Sequence, residues 1–510
     1  MRSKLLLFTI CLLSINSYSQ LSKIDGVNTF LLRNSGPILD KNKDVDGYFF
    51  YYVIDKLKKG DNEFAIQILD KNLNEVAKKT YIDNKNTFLM KSSFNNQALM
   101  FAMANYKEKK IDLLLFDKQA NQNKTISIPL NQKEVDYFGH INNRNGGDYN
   151  FLFPVEDKGF IFSKVQDNKK IGYSLKYIPT DGGKAWEFNS PADSKEILLI
   201  NPIEINNKFI VAVESALPSA ISRKVTLRTK IIDASTGKLI FELENNKNDK
   251  PRLISNAFVG DNDSIILMGE YFKEGDNIFD DKSLGLFAQV MDMNGKIVKE
   301  SYTTWVGDVS KIAKTSKSFI DDKGYVFFHN IVKTNSGDFY AIGEYYKKSV
   351  SAGGTALKIL SGGGGSATKI SISDAVVFKF DPDFKLISIK DFKKTVSSVP
   401  SISDFASPQL NAHALKSFGY FDYEYTQIDK ANDRFYACFF DYEKIKGSKS
   451  KRAFKAVIYD EGEFSEDKIY LTENDKEFKL MPAKIGNVMM LEYDKKAKSI
   501  NIHLEKINIK

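Results

Sequence analysis

Eight times along this chain an apolar run ends in an acid or an amide, usually with Tyr next and Lys two positions further on. The phrase closes at Asp55, Asn105, Gln166, Glu214, Glu270, Glu344, Asp441 and Glu492, in strings such as YYVIDKLK, LMGEYFK, AIGEYYK and MLEYDKK. Successive members are 50, 61, 48, 56, 74, 97 and 51 residues apart. A unit that returns at this spacing determines the architecture of the whole chain before any local motif is considered.

A second phrase follows the first. After a short connection, another apolar run ends in Asp and a turn, at Asp70, Asp117, Asp233, Asp292, Asp381 and Asp460, with a looser version at Asp181 and Gly182. An Asp side chain accepts bonds from backbone amides just ahead of it, and Gly or Asn supplies positive φ, so these are hairpin signals. A short extended segment precedes each first phrase, as in NTFLMKSS at 86–93 and GYVFFHNIV at 324–332. Each unit therefore holds four strands.

The middle runs (IILM, FYAI, VMML, FIVAV, LLLF) are apolar at successive positions. Strands of that kind need cover on both faces, which neighbouring blades of a propeller provide and a sandwich with one wet face does not. The expected fold is all-β: a β-propeller of eight four-stranded antiparallel blades, with seven the alternative if one unit is misread. The last unit lacks a fourth strand before Lys510, and residues 21–33 are the segment available to close it and remove an exposed edge. Helices are expected only in short stretches, 307–317 and 404–417. The Gly/Ser-rich segment 349–369 reads as a flexible loop inserted in unit six.

The start of the chain reads as a secretory leader, residues 1–19. Arg2 and Lys4 precede an apolar stretch from Leu5 to Leu13 that is too short to span a bilayer, and Ser17 and Ser19 lead to a mature start at Gln20. Cys11 lies inside the apolar stretch, not after the small residues of a lipidation site. Residues 20–510 then form a single propeller domain that is periplasmic, at the cell surface or secreted, with no transmembrane span and monomeric. Cys438, in FYACFF, is the one cysteine left after the leader, so it reads as a buried, inert thiol with no disulfide partner. The net charge of +8 is spread among interspersed Lys and acids, with Lys far more frequent than Arg, a pattern that argues against nucleic acid as a partner.

The leader's SYSQ end, the GEY phrases at 269–271 and 343–345, and the D-x-N-G turn at 292–295 resemble an uncharacterised family of secreted Bacteroidetes proteins with β-propeller-like repeats. That resemblance runs over the mature chain. It implies export and a propeller-like β fold, and it brings no catalytic residues with it.

Equivalent strand ends would place Asp55, Glu214, Glu270, Glu344, Asp441 and Glu492 in an acidic ring able to attract a divalent cation such as Ca2+ or a basic partner. The competing reading is local pairing with the Lys three residues on: Lys58, Lys169, Lys273, Lys347, Lys444 and Lys495. Tyr106, Tyr271, Tyr345, Tyr442 and Tyr493 are expected to pack on the neighbouring blade. Glu214, whose unit lacks both the Tyr and the Lys, is the acid that pairing explains least. Stretches 261–270 and 460–467 read as polar turns, since neither has calcium-loop spacing. His140, His329, His413 and His503 fall in different units and form no metal pair, His329 reading as an interior residue. No H-E-x-x-H or G-x-S-x-G is present. The expected function is a non-catalytic binding scaffold for a protein or extracellular polymer, without a cofactor. The alternative is a hydrolase or lyase acting on glycan or peptide in the central channel.

Overall fold

The computed structural model describes residues 20–143, 150–244, 249–260, 263–351, 366–443, 451–471 and 477–508. The expected leader, residues 352–365 of the Gly/Ser-rich segment, and Lys444 lie outside the described residues. The strands form eight antiparallel four-stranded blades, which makes the fold an eight-bladed β-propeller. Blade 6 adds a fifth strand, Ser397–Pro400, alongside Thr368–Phe380.

By contact the chain groups into two compact units. One holds blades 1 and 8. Blade 8 runs Glu477–Pro482, Asn487–Asp494, Ser499–Lys506, and its fourth strand is Gln20–Asp25, paired antiparallel from Gln20 opposite Leu504 to Asp25 opposite Ser499. The N-terminal segment thus completes the last blade, as the missing strand required. Tyr48, Phe50 and Tyr52 of blade 1 pack with Met489, Leu491 and Ile502 of blade 8 in one core.

The other unit holds blades 2 to 7, whose first strands touch in succession from Phe88–Phe94 to Tyr423–Asp429. Separate hydrophobic clusters fill each junction between consecutive blades. Second strands such as Leu99–Asn105 and Ile265–Tyr271 are buried at every position, while outer strands such as Gln122–Pro129 are largely exposed. The unbroken apolar runs are therefore strands covered on both faces.

The turn acids behave as their spacing implies. Asp292 Oδ1 accepts the amides of Asn294 and Lys296 at 2.9 Å each, with Gly295 at φ +80°. Asp381 Oδ1 accepts those of Asp383 and Lys385 at 2.8 and 2.9 Å. Helical turns occupy 305–313 and Pro408–Ser417, close to the expected stretches. A further helix, Gln132–Asn143, was not expected. Its signal is a capping box: the Asn131 and Glu134 side chains each accept the other's amide at 3.0 Å.

Candidate functional site

The recurring acid ends up inside the protein far more often than on its surface. Asp55 is exposed, but Asn105, Glu214, Glu270, Glu344, Asp441 and Glu492 are buried. In blades 5 and 6 the glycine of the GEY phrase shows how the strand is admitted. The first strand of each blade slips register by one residue beside it, between Ile254 and Asn256 and between Phe328 and Asn330. A Cβ at Gly269 would land on the Leu253 carbonyl, and one at Gly343 on that of Phe327.

Each buried acid of the six-blade unit has its own partners. Glu214 accepts the Tyr173 hydroxyl at 2.6 Å and Arg228 at 3.0 Å, with Lys230 at 3.6 Å. Arg228 sits directly opposite it on the next strand, a cross-strand signal present in the sequence, so Glu214 is well explained by structure after all. Asp441 Oδ1 accepts the Thr395 amide at 2.9 Å, and Lys468 lies 3.4 Å from its other oxygen. Two of the lysines three positions on pair elsewhere than with the recurring acid: Lys347 donates to the Asp321 carbonyl at 2.8 Å, and Lys495 pairs with Glu477 at 2.6 Å. Of the recurring tyrosines, Tyr271 and Tyr106 meet rings of their own blades, Tyr302 and Phe88, while Tyr271, Tyr345 and Tyr493 also belong to cores shared with an adjacent blade, as expected. Among the described residues no three His, Cys, Asp or Glu side chains converge as a metal ion needs.

Glu344 is the member that leads to a surface feature. Its side chain is fully inaccessible, as are those of Lys394 and His329. Lys394 Nζ lies 3.1 Å from Glu344 Oε1 and also bonds Asp422 Oδ2. The Tyr423 amide donates to Glu344 Oε2 at 2.9 Å, tying blade 7 to blade 6. His329 Nε2 lies 3.0 Å from the same oxygen, and its ring stacks on Tyr423 at 4.6 Å. Burial pushes His329 down to about 4, helped by Lys416, so it is neutral at pH 7. Burial alone would raise Glu344, but His329 and Lys394 outweigh it and hold the carboxyl below its usual range. Asp422 moves the other way: burial raises it and the Lys394 charge opposes.

Asp422 borders a groove of about 590 Å³. Residues 395–399 form one wall, 419–422 and Glu424 the other, and Phe440 and Tyr442 complete the lining. Ser397 Oγ donates to Asp422 Oδ2 at 2.9 Å across the base. Tyr420 and Tyr442 stay 42% and 38% exposed, respectively. Sequence reading passed over Lys394 and Asp422. The signal was the run FGYFDYEY at 418–425, an acid amid aromatics in a connection between blades. Cys438 is fully buried, and burial pushes its thiol up, as expected of an inert residue.

Residues 1–508 match the family of unknown function DUF6770. The chain belongs to that family. DUF6770 membership agrees with the resemblance to an uncharacterised family read from the sequence. Among curated proteins none matches this DUF6770 chain. Among solved structures it is similar to the WD40 domain of SCAP from fission yeast (9% identity, 95% of this chain and 98% of that one, TM-score 0.37). It is also similar to the β-propeller domain of the Trilobed protease from Pyrococcus furiosus (11% identity, 90% and 99% covered, TM-score 0.39). A third is prolyl oligopeptidase B from Galerina marginata, of which 56% is covered against 94% of this chain (9% identity, TM-score 0.41).

Proposed function

We propose that this DUF6770 protein is an exported, non-catalytic β-propeller that holds a protein or extracellular-polymer partner in the groove between residues 395–399 and 419–424. The observation that carries the reading is the coincidence of open volume with a pre-ordered base. Asp422 is fixed by Lys394 and Ser397 while Tyr420 and Tyr442 remain available to a ligand. Aromatic side chains with polar tips are the residues that anchor most binding surfaces. Export rests on Arg2, Lys4, the apolar stretch Leu5–Leu13 and the small residues before Gln20. Among the described residues no helix is long and apolar enough to cross a membrane.

The second reading, a hydrolase, draws on Asp422 itself, a carboxyl whose raised pKa suits proton transfer. One experiment separates the two. The mature chain is applied to peptide and glycan arrays, with release of cleaved product followed by mass spectrometry. Binding predicts retention without cleavage, lost when Tyr420 and Tyr442 are both changed to Ala. Cleavage abolished by Asp422→Asn would overturn it in favour of the enzyme, and retention on neither array would also overturn it.

A further inference from the structure

We infer that the occupant of the groove is an extended, basic polypeptide segment that adds as a strand to the edge of Ser397–Pro400; this rests on the reading of the groove as a binding site. The pairing of that strand gives the direction of its backbone groups. The Ser401 amide bonds the Thr368 carbonyl at 3.0 Å, so that pair is of the hydrogen-bonded kind. Antiparallel pairs alternate, so Val399 opposite Ile370 and Ser397 opposite Ile372 also face their partner strand. Ser398 must then direct its N–H and C=O groups, and Pro400 its C=O, away from it, and Ser398 lines the groove. Just before them the chain is held to blade 7, where the Thr395 amide meets Asp441 at 2.9 Å. From Ser397 onward it pairs with blade 6, and the groove opens where the two part.

An edge of alternating donors and acceptors recognises a polypeptide backbone, and adjacent pockets select every second side chain. Charge selects the side chain. Asp422 and Glu424 line the groove, and among the described residues no Lys, Arg or His lines it, the nearest cation on the strand beside Tyr442 being Arg452 directly opposite it. Behind it one ammonium, Lys394, is shared by two carboxylates, Glu344 and Asp422. Tyr420 and Tyr442 flank the acids and can cover the aliphatic stem of a Lys or Arg whose head reaches Asp422. The whole chain carries +8, so a cationic peptide is not drawn to it by its overall charge. Attraction would report this local acidity.

The test is fluorescence anisotropy with the mature chain and dye-labelled peptides of alternating Lys and Val, alternating Glu and Val, and the Lys peptide N-methylated at every second residue. The Lys peptide should bind, the Glu peptide should not, and N-methylation of the edge-facing register should weaken binding roughly tenfold or more. Ser398→Pro removes an outward N–H while sparing the pairing with Thr368–Phe380 and should have a similar effect; Ser398→Ala should have none. Asp422→Asn should weaken the Lys peptide and flatten its salt dependence. Equal binding of Lys and Glu peptides, or indifference to both N-methylation and Ser398→Pro, would overturn the inference. A groove that retains a glycan through Tyr420 and Tyr442 but ignores every peptide would overturn it while leaving the binding-site reading intact.

Discussion

Blades 5 and 6 carry the same three residues, Gly-Glu-Tyr, at the same point of their second strands, and both bury the glutamate beside a slipped first strand. Glu270 meets hydroxyl and amide groups. Ser283 donates to it at 3.0 Å, and Ser283 in turn accepts from Trp305 at 3.0 Å and from Gln409 at 2.9 Å. With no ion pair to it among the described residues, burial pushes Glu270 up to about 8, and it is neutral at pH 7. Glu344 meets Lys394, which comes from beyond the fourth strand of its blade, and it stays charged. One phrase therefore sets burial, and residues far along the chain set protonation. The charged version is the one connected to a groove.

The largest effect should follow from removing what distinguishes the two blades. Lys394→Met leaves Glu344 and Asp422 buried together without their cation, and should cost about 3–5 kcal/mol in urea-unfolding measurements. A loss below about 1 kcal/mol would mean that blade 6 does not need its ion pair.

Next comes the feature the blades share. Ala at Gly269 or at Gly343 would press on a backbone carbonyl that cannot move aside cheaply, so each should lose about 1–3 kcal/mol. Indifference at either position would show that its glycine is not needed for close approach.

The two glutamates should then respond oppositely to conversion to Gln. The raised pKa of Glu270 means that the unfolded chain ionises first as pH rises above about 4.5, so its burial costs stability progressively up to about pH 8. Glu270→Gln should therefore be stabilising by about 1–3 kcal/mol at pH 8 and close to neutral at pH 4. The depressed pKa of Glu344 supplies stability above the ordinary carboxylate range that is lost as pH falls through the folded value. Glu344→Gln should thus be destabilising at neutral pH and progressively less so in acid. Melting curves at the two pH values check both.

The smallest effect belongs to the turns after the third strands, where the blades do not differ. Asp292→Ala and Asp381→Ala each remove a side chain that accepts two amides, and should lower the melting temperature slightly and equally. The Lys296 and Asn294 amides hold Asp292 below the usual carboxylate range, so its contribution should fade as pH drops through that lowered value.

Much of the fold was legible because hairpin chemistry is local. Asp292 and Asp381 announce their turns within four residues, and the fully apolar second strands announce cover on both faces. The missing fourth strand of the last blade likewise pointed to the N-terminal segment that fills it. The site was not legible in the same way. Glu344, Lys394 and Asp422 are brought together only when blade 7 docks on blade 6, and no spacing rule encodes that distance. Glu214 lay between these cases: its partner Arg228 is the residue directly across the hairpin, visible once strand register is considered.

Infrared difference spectra at neutral pH address the contrast between the two glutamates most directly. Subtracting the Glu270→Gln spectrum from that of the unaltered protein should leave a protonated-carboxyl stretch, and subtracting Glu344→Gln should leave carboxylate bands. The same band from both variants, or the reverse assignment, would contradict the proposal that one sequence phrase is used in two charge states.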